Sequence, residues 1–281
     1  PYFHCVSLRL DDGECFTVNL HEATEDPAFK ESSFRVILVD NFGGLMSLLH
    51  QIELMRSRSQ PAPPCIACDF EGVQLSRSGE LCLAQFCLES DPTTVYVVDV
   101  FVLGAEAWTL ATVNGTSLKL VLEDDTYRKF WWDPRNDVDA LFHHYGMEPS
   151  GVLDIQIVEV ARRRSKGQTV HKVLGLSQCL SSCKKLTGQQ QAFAKKLDKL
   201  GKSLYEPNHG GTYAIFKERP LNIVILMYAA HDVRYLFELY HTYVAEIPNE
   251  WMGKVEKCSA DRVRWCLGKE YVAPSNVAPD F

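Results

Sequence analysis

The sequence predicts an α/β domain, a sheet with helices on its faces. Three observations predict it. Apolar segments bounded by turn residues fill 65–102, helical patterns alternate with further short apolar segments between 117 and 157, and the residues from 175 onward read mainly as helices. The chain has 281 residues. At roughly 150 residues per domain, that fits two domains or one larger domain with additions.

The elements follow in order. Residues 6–10 and 16–20 alternate apolar and polar side chains about Asp12-Gly13, a hairpin turn signal, so 1–34 read as an N-terminal β-hairpin extension. Residues 35–40 (RVILVD) predict a strand and 45–55 a helix. Pro61, Pro63 and Pro64 make 57–64 a loop. Segments 65–70 (CIACDF), 80–88 (ELCLAQFCL) and 95–102 (VYVVDVFV) predict a meander of three strands, with turns at 76–79 and Asp91-Pro92. A helix is expected near 117–123, a strand at 127–132, and a helix at 134–145 with Asp133 as its N-cap. Residues 152–157 fit a strand or the start of a helix. Helices are expected over 175–200, a loop rich in Gly and Pro over 205–220, and one long apolar helix over 221–243. From Trp265 the pattern is irregular, and 246–281 read as a C-terminal tail to a domain spanning 35–245.

Composition narrows the class. The chain is 46% hydrophobic and 23% charged, which excludes a mainly disordered chain, a collagen-like fibre and a coiled coil. Its net charge of −7 excludes a uniformly basic nucleic-acid coat protein, although not an enzyme that carries basic residues locally. The longest apolar run, 221–230, is half of the ~20 residues a membrane span needs, so no membrane association is expected. The first ten residues do not resemble a signal peptide. With no initiator Met and an abrupt end, the chain reads as a processed or trimmed piece of a longer protein. Most of the ten cysteines lie in apolar runs, which points to a reducing compartment, cytoplasm or nucleus. Cys65-x2-Cys68 has zinc-like spacing, but no second pair follows within ~20 residues, so zinc is disfavoured.

Two features point to chemistry. Eleven Lys/Arg and a single acid, Asp198, fall within 162–202, whereas the rest of the chain is strongly acidic. This stretch reads equally as a solvated helical face or as a phosphate-binding stripe, with Arg162, Arg163, Arg164, Lys195, Lys196 and Lys202 as the candidate contacts. The second feature is a set of carboxylates. Strand alternation puts Asp69 and Glu71 on the same side as Cys65 and Ala67. Two adjacent carboxylates repel each other unless a cation lies between them. Asp137 and Asp139 flank the apolar stripe of the 134–145 helix, and periodicity does not choose between them. Tyr228 and Asp232 are one helical turn apart inside an apolar run.

Together these residues resemble the DEDD superfamily of 3′–5′ exonucleases, over roughly 35–243. Asp69 and Glu71 match its D-x-E motif, Asp137 with Leu141 matches the second motif and selects Asp137 over Asp139, and Tyr228 with Asp232 matches Y-x-x-x-D. The last motif resembles the tyrosine branch, DEDDy; the histidine branch has His where this chain has Met227. Gln85, Asp154-Ile155-Gln156 and Arg219-Pro220-Leu221 add to the resemblance, and the run from Gly201 to Pro220 is similar to a group of fungal exonuclease-domain proteins.

The resemblance implies an RNase H-like mixed β-sheet flanked by helices, to which the N-terminal hairpin is an addition. It implies hydrolysis of phosphodiester bonds with two divalent cations, Mg²⁺ or Mn²⁺, held by Asp69, Glu71, Asp137 and Asp232, with Asp69 bridging both. Tyr228 would orient the attacking water. The expected substrate is the 3′ end of single-stranded RNA or DNA, RNA being favoured. The alternative is a catalytically silent RNA-binding module on the same fold. The acidic hairpin is a candidate surface for a protein partner.

Overall fold

The computed structural model describes residues 5–9, 15–19, 34–59, 62–272 and 275–280. Strands β1 (Cys5–Arg9) and β2 (Cys15–Asn19) pair antiparallel with Val6 opposite Val18; the hairpin's turn residues, 10–14, lie outside the described residues. Strand β3 (Arg35–Val39) leads to helix α1 (Phe42–Arg58). The helix begins before the expected 45 because the Asn41 side chain accepts the Gly44 N–H and caps it.

The meander is β4 (Cys65–Val73), β5 (Glu80–Leu88) and β6 (Asp91–Asp99). The third strand ends earlier than its apolar run suggests. Asp99 caps a helical turn, Val100–Leu103, by accepting the Val102 N–H. Helix α2 (Leu118–Glu123) starts at a Ser117 cap, and β7 (Arg128–Trp131) follows. Helix α3 (Arg135–Tyr145) is capped by position 134, not by Asp133 as expected. Asp133 takes a left-handed φ of 58°, and its carboxylate pairs with Arg135 instead.

Both readings of 152–157 hold. Strand β8 (Val152–Asp154) runs directly into helix α4 (Ile155–Ser165), whose cap is Asp154. Helices α5 (Leu176–Ser182) and α6 (Gly188–Tyr205) follow, the latter opened by a Thr187–Gln190 capping box. The predicted long helix is two, α7 (Ile223–Arg234) and α8 (Leu236–Val244). Tyr235 leaves helical geometry at φ −103°, ψ 9°; α7 stays on the sheet while α8 packs on α4. Residues 249–266, read as tail from sequence, form an 18-residue helix, α9 (Asn249–Cys266).

The sheet order is β3-β6-β5-β4-β7-β8, with β5 antiparallel to both neighbours and the other pairings parallel. One core lies on each side. Cys65 and Ala67 belong to the core under α4, α6 and α7; Ile66, Cys68 and Phe70 belong to the core under α1, α2 and α3. Cys65 and Cys68 therefore face opposite ways and share no metal site.

Candidate active site

Phe70 fixes the direction of its neighbours. Its ring packs edge-on against Phe86, Trp108 and Trp131, with centroids 6.1, 5.9 and 5.5 Å away. With that side chain anchored in one core, Asp69 and Glu71 project from the opposite face of β4. Pairing with β5 slips at Glu71/Gly72. A Cβ on Gly72 would lie 1.8 Å from the Glu80 carbonyl oxygen, so only glycine permits this approach immediately after the two carboxylates.

Helix α7 packs over this face of β4 and β5. It brings Asp232 to the strand: single oxygens of Asp69, Glu71 and Asp232 lie within 4.8 Å of one another, an arrangement that could hold a metal ion. All three residues are half-buried. Asp137, in the first turn of α3, is 5% exposed, and its Oδ1 has no hydrogen-bond partner among the described residues. Asp139 is engaged elsewhere: it accepts the Arg77 backbone N–H at 2.6 Å and the Arg77 Nε at 2.8 Å.

Burial raises the Asp69 carboxyl well above its usual range, and the charges of Asp137, Asp232 and Glu71 add to the rise. Glu71 is raised in the same way, by burial and then by Asp232 and Asp137. Burial is also the first cause for Asp137 and Asp232, each pushed to about 7; for Asp232 the charge of Asp198 contributes next. Four crowded carboxylates, an oxygen-only donor set and a buried acceptor without a donor suit a hard divalent cation.

Tyr228, one turn before Asp232, is 8% exposed. Its hydroxyl lies 3.1 Å from that of Tyr205, and burial together with the charges of Asp232 and Glu71 raises its pKa well above 10. A cavity of about 200 Å³ adjoins it, lined in part by Asp198, Lys202, Tyr228, His231 and Asp232. His231 itself faces Phe193 and Tyr235; burial lowers its pKa to about 3, so it stays neutral.

The six candidate phosphate contacts fall into two groups. Arg162 pairs with Glu159 and Glu246, Arg163 grips buried Glu159 with two bonds of 2.9 Å, and Arg164 donates to the carbonyls of Pro279 and Val170. Lys195, Lys196 and Lys202 lie on α6, which packs against α7. Lys195 is exposed, and Lys202 pairs with Asp198 at 2.9 Å.

Sequence reasoning singled out Lys202 on α6 but missed Asp198, Gly201 and Tyr205 beside it. The four residues have the i, i+3, i+4, i+7 spacing of one helix face. That spacing was available as a signal, although it was hidden among lysines.

Comparison with known proteins gives consistent results. A family model described as 3′–5′ exonuclease matches residues 49–247. The chain is 27% identical over 188 residues to piRNA biogenesis protein EXD1 of Bombyx mori, covering 66% of this chain and 50% of that protein. It spans half or less of the length of each curated relative it matches. Trypanosoma brucei RNase D, solved as a GMP complex, is 25% identical with a TM-score of 0.66, covering 87% of this chain and 68% of the other. The same enzyme solved with RNA U12 is 24% identical with a TM-score of 0.63, covering 90% and 79%, and shares the RNase H-like fold. With the family match spanning most of the chain and the carboxylates gathered on that fold, the chain belongs to the 3′–5′ exonuclease family.

Proposed function

We propose that this domain is a metal-dependent exonuclease of the tyrosine (DEDDy) type, which removes nucleotides from the 3′ end of single-stranded nucleic acid and favours RNA. The observation that carries the proposal is the convergence of Asp69, Glu71 and Asp232 within 4.8 Å beside a buried phenol. The preference for RNA is supported by similarity to an RNase D solved with GMP.

Asp69, Glu71, Asp137 and Asp232 would hold two Mg²⁺ or Mn²⁺ ions, which supply the positive charge that an attacking water and a leaving 3′ oxygen require. In the metal-free chain, burial and two neighbouring carboxylates suppress the acidity of Tyr228. Its proposed role is to orient the water through a hydrogen bond, which a neutral phenol can do. Breaking the bond to the 3′ oxygen leaves the phosphate on the departing residue, a nucleoside 5′-monophosphate. Upstream phosphates are best assigned to α6, through Lys195, Lys196 and Lys202, because α6 packs against α7, the helix that carries Tyr228 and Asp232. The eight cysteines from Cys65 to Cys266 are free and buried, which supports a reducing compartment, cytoplasm or nucleus.

The test is a gel assay of 3′- and 5′-labelled single-stranded RNA and DNA with Mg²⁺, Mn²⁺ or EDTA. Wild type and Asp69→Ala are run side by side. A ladder from the 3′ end that requires metal and is lost in Asp69→Ala is expected. RNA retained in a mobility shift but left intact in every metal would replace this reading with that of a silent RNA-binding module.

A further inference from the structure

Tyr228 is held from two sides by one helix. On α6, Gly201 and Tyr205 are four residues apart and so share a face. The Tyr205 and Tyr228 hydroxyls are 3.1 Å apart, with ring centroids 5.3 Å apart and planes tilted by 50°. At the other end of the Tyr228 ring, a Cβ placed on Gly201 would lie 2.4 Å from Cδ2 and 2.6 Å from Cγ. Real side chains do not tolerate such distances, so the ring fills the space that the missing side chain leaves. Tyr205 is itself supported, its ring 5.4 Å from Phe216 and 6.0 Å from Tyr213.

We infer that Tyr205 is a positioning residue for Tyr228. Its hydroxyl fixes the direction of the Tyr228 O–H bond while Gly201 sets the depth of the ring, so the phenol reaches the carboxylate cluster in one orientation. This inference rests on the exonuclease reading for its consequence in catalysis. The contact itself does not depend on that reading. A water-orienting hydroxyl must present its lone pair or proton along a defined direction, and a free phenol rotates about its C–O bond. A hydrogen bond shared with a second, anchored phenol removes that freedom. Tyr205 acts through Tyr228, so its removal should leave substrate affinity alone and slow the chemical step.

Three variants and one spectroscopic label test this. Tyr205→Phe keeps the ring and its packing and removes only the hydroxyl. The expected result is a kcat about 10-fold lower with KM and Tm unchanged. In a Tyr228→Phe background the same change should cost nothing further, because the group it positions is gone. In parallel, 3-fluorotyrosine at position 228 is followed by ¹⁹F NMR, and its resonance should move on Tyr205→Phe. An equal loss in both backgrounds, or a change in KM alone, would overturn the inference, since Tyr205 would then act on substrate or on the fold. A resonance that does not move would overturn it whatever the activity. If wild type releases no nucleotide yet the resonance moves, the exonuclease reading fails and the positioning of the phenol stands.

Discussion

Asp69 shows how a single residue can oppose the fold that holds it. It sits at the centre of the sheet, facing Gln85 on β5, with Glu71, Asp137 and Asp232 around it. Each pairwise repulsion is a cost in the metal-free protein. Asp69→Asn removes a charge without changing shape. It should lower metal-dependent nucleotide release by at least ~10²-fold while raising the Tm of the metal-free protein, read by scanning fluorimetry. A fall in that Tm would show that the carboxylate is stabilising, contrary to its raised pKa. Gly201 poses the opposite problem. Replacing a helix-interior glycine by alanine ordinarily favours the helix by about 1 kcal/mol. Here the added Cβ meets Tyr228 Cδ2 at 2.4 Å, and the clash outweighs the helix preference. Gly201→Ala should therefore lower kcat at least as far as Tyr205→Phe does, without a gain in Tm.

At the scale of elements, α9 determines whether the β8 end of the sheet holds together. Arg262 Nη1 bonds Asp154 at 2.5 Å and Gln156 at 3.0 Å, and the Asp154 N–H donates to Ser259. Arg77, from the β4–β5 turn, donates to the carbonyls of Cys266 and Gly268 at the far end of the helix. Arg262→Ala leaves Asp154 fully buried without its ion pair, and should cost about 3–5 kcal/mol in urea unfolding. A cost below 1 kcal/mol would mean that the helix is dispensable. The sequence reading missed this helix for a physical reason. Its buried face includes Ser259 and Arg262 among Val255, Cys258, Val263 and Cys266, so apolar periodicity alone does not reveal it. The meander was legible because cores on both sides of the sheet make its strands near-continuous apolar runs bounded by turn residues. The break at Tyr235 was not, since both flanking helices are apolar and only their packing partners differ. Likewise the D-x-E and Y-x-x-x-D spacings were readable along the chain, whereas the contact of Tyr205 with Tyr228 depends on how two helices cross.

For the whole molecule, the carboxylates link stability to pH and to cations. Asp137 and Asp232 titrate near 7 in the folded chain against 3.8 as the ordinary value. Between those limits the folded state holds protons that the unfolded state has released, so the metal-free protein loses stability as pH rises from about 4 to about 7. A divalent cation competes with those protons. Adding Mg²⁺ or Mn²⁺ should raise Tm more at pH 8 than at pH 5, and a Tm increase that does not depend on pH would argue against binding at this cluster. The cluster also draws on widely separated parts of the chain, with Asp69 and Asp232 near opposite ends of the region matched to the family. The site thus has no local precursor. During refolding it can exist only after two segments far apart in the sequence, β4 and α7, have met. A paramagnetic Mn²⁺ ion added at successive times would then serve as a clock for completion of the topology, silent toward any intermediate in which α7 has not yet reached β4.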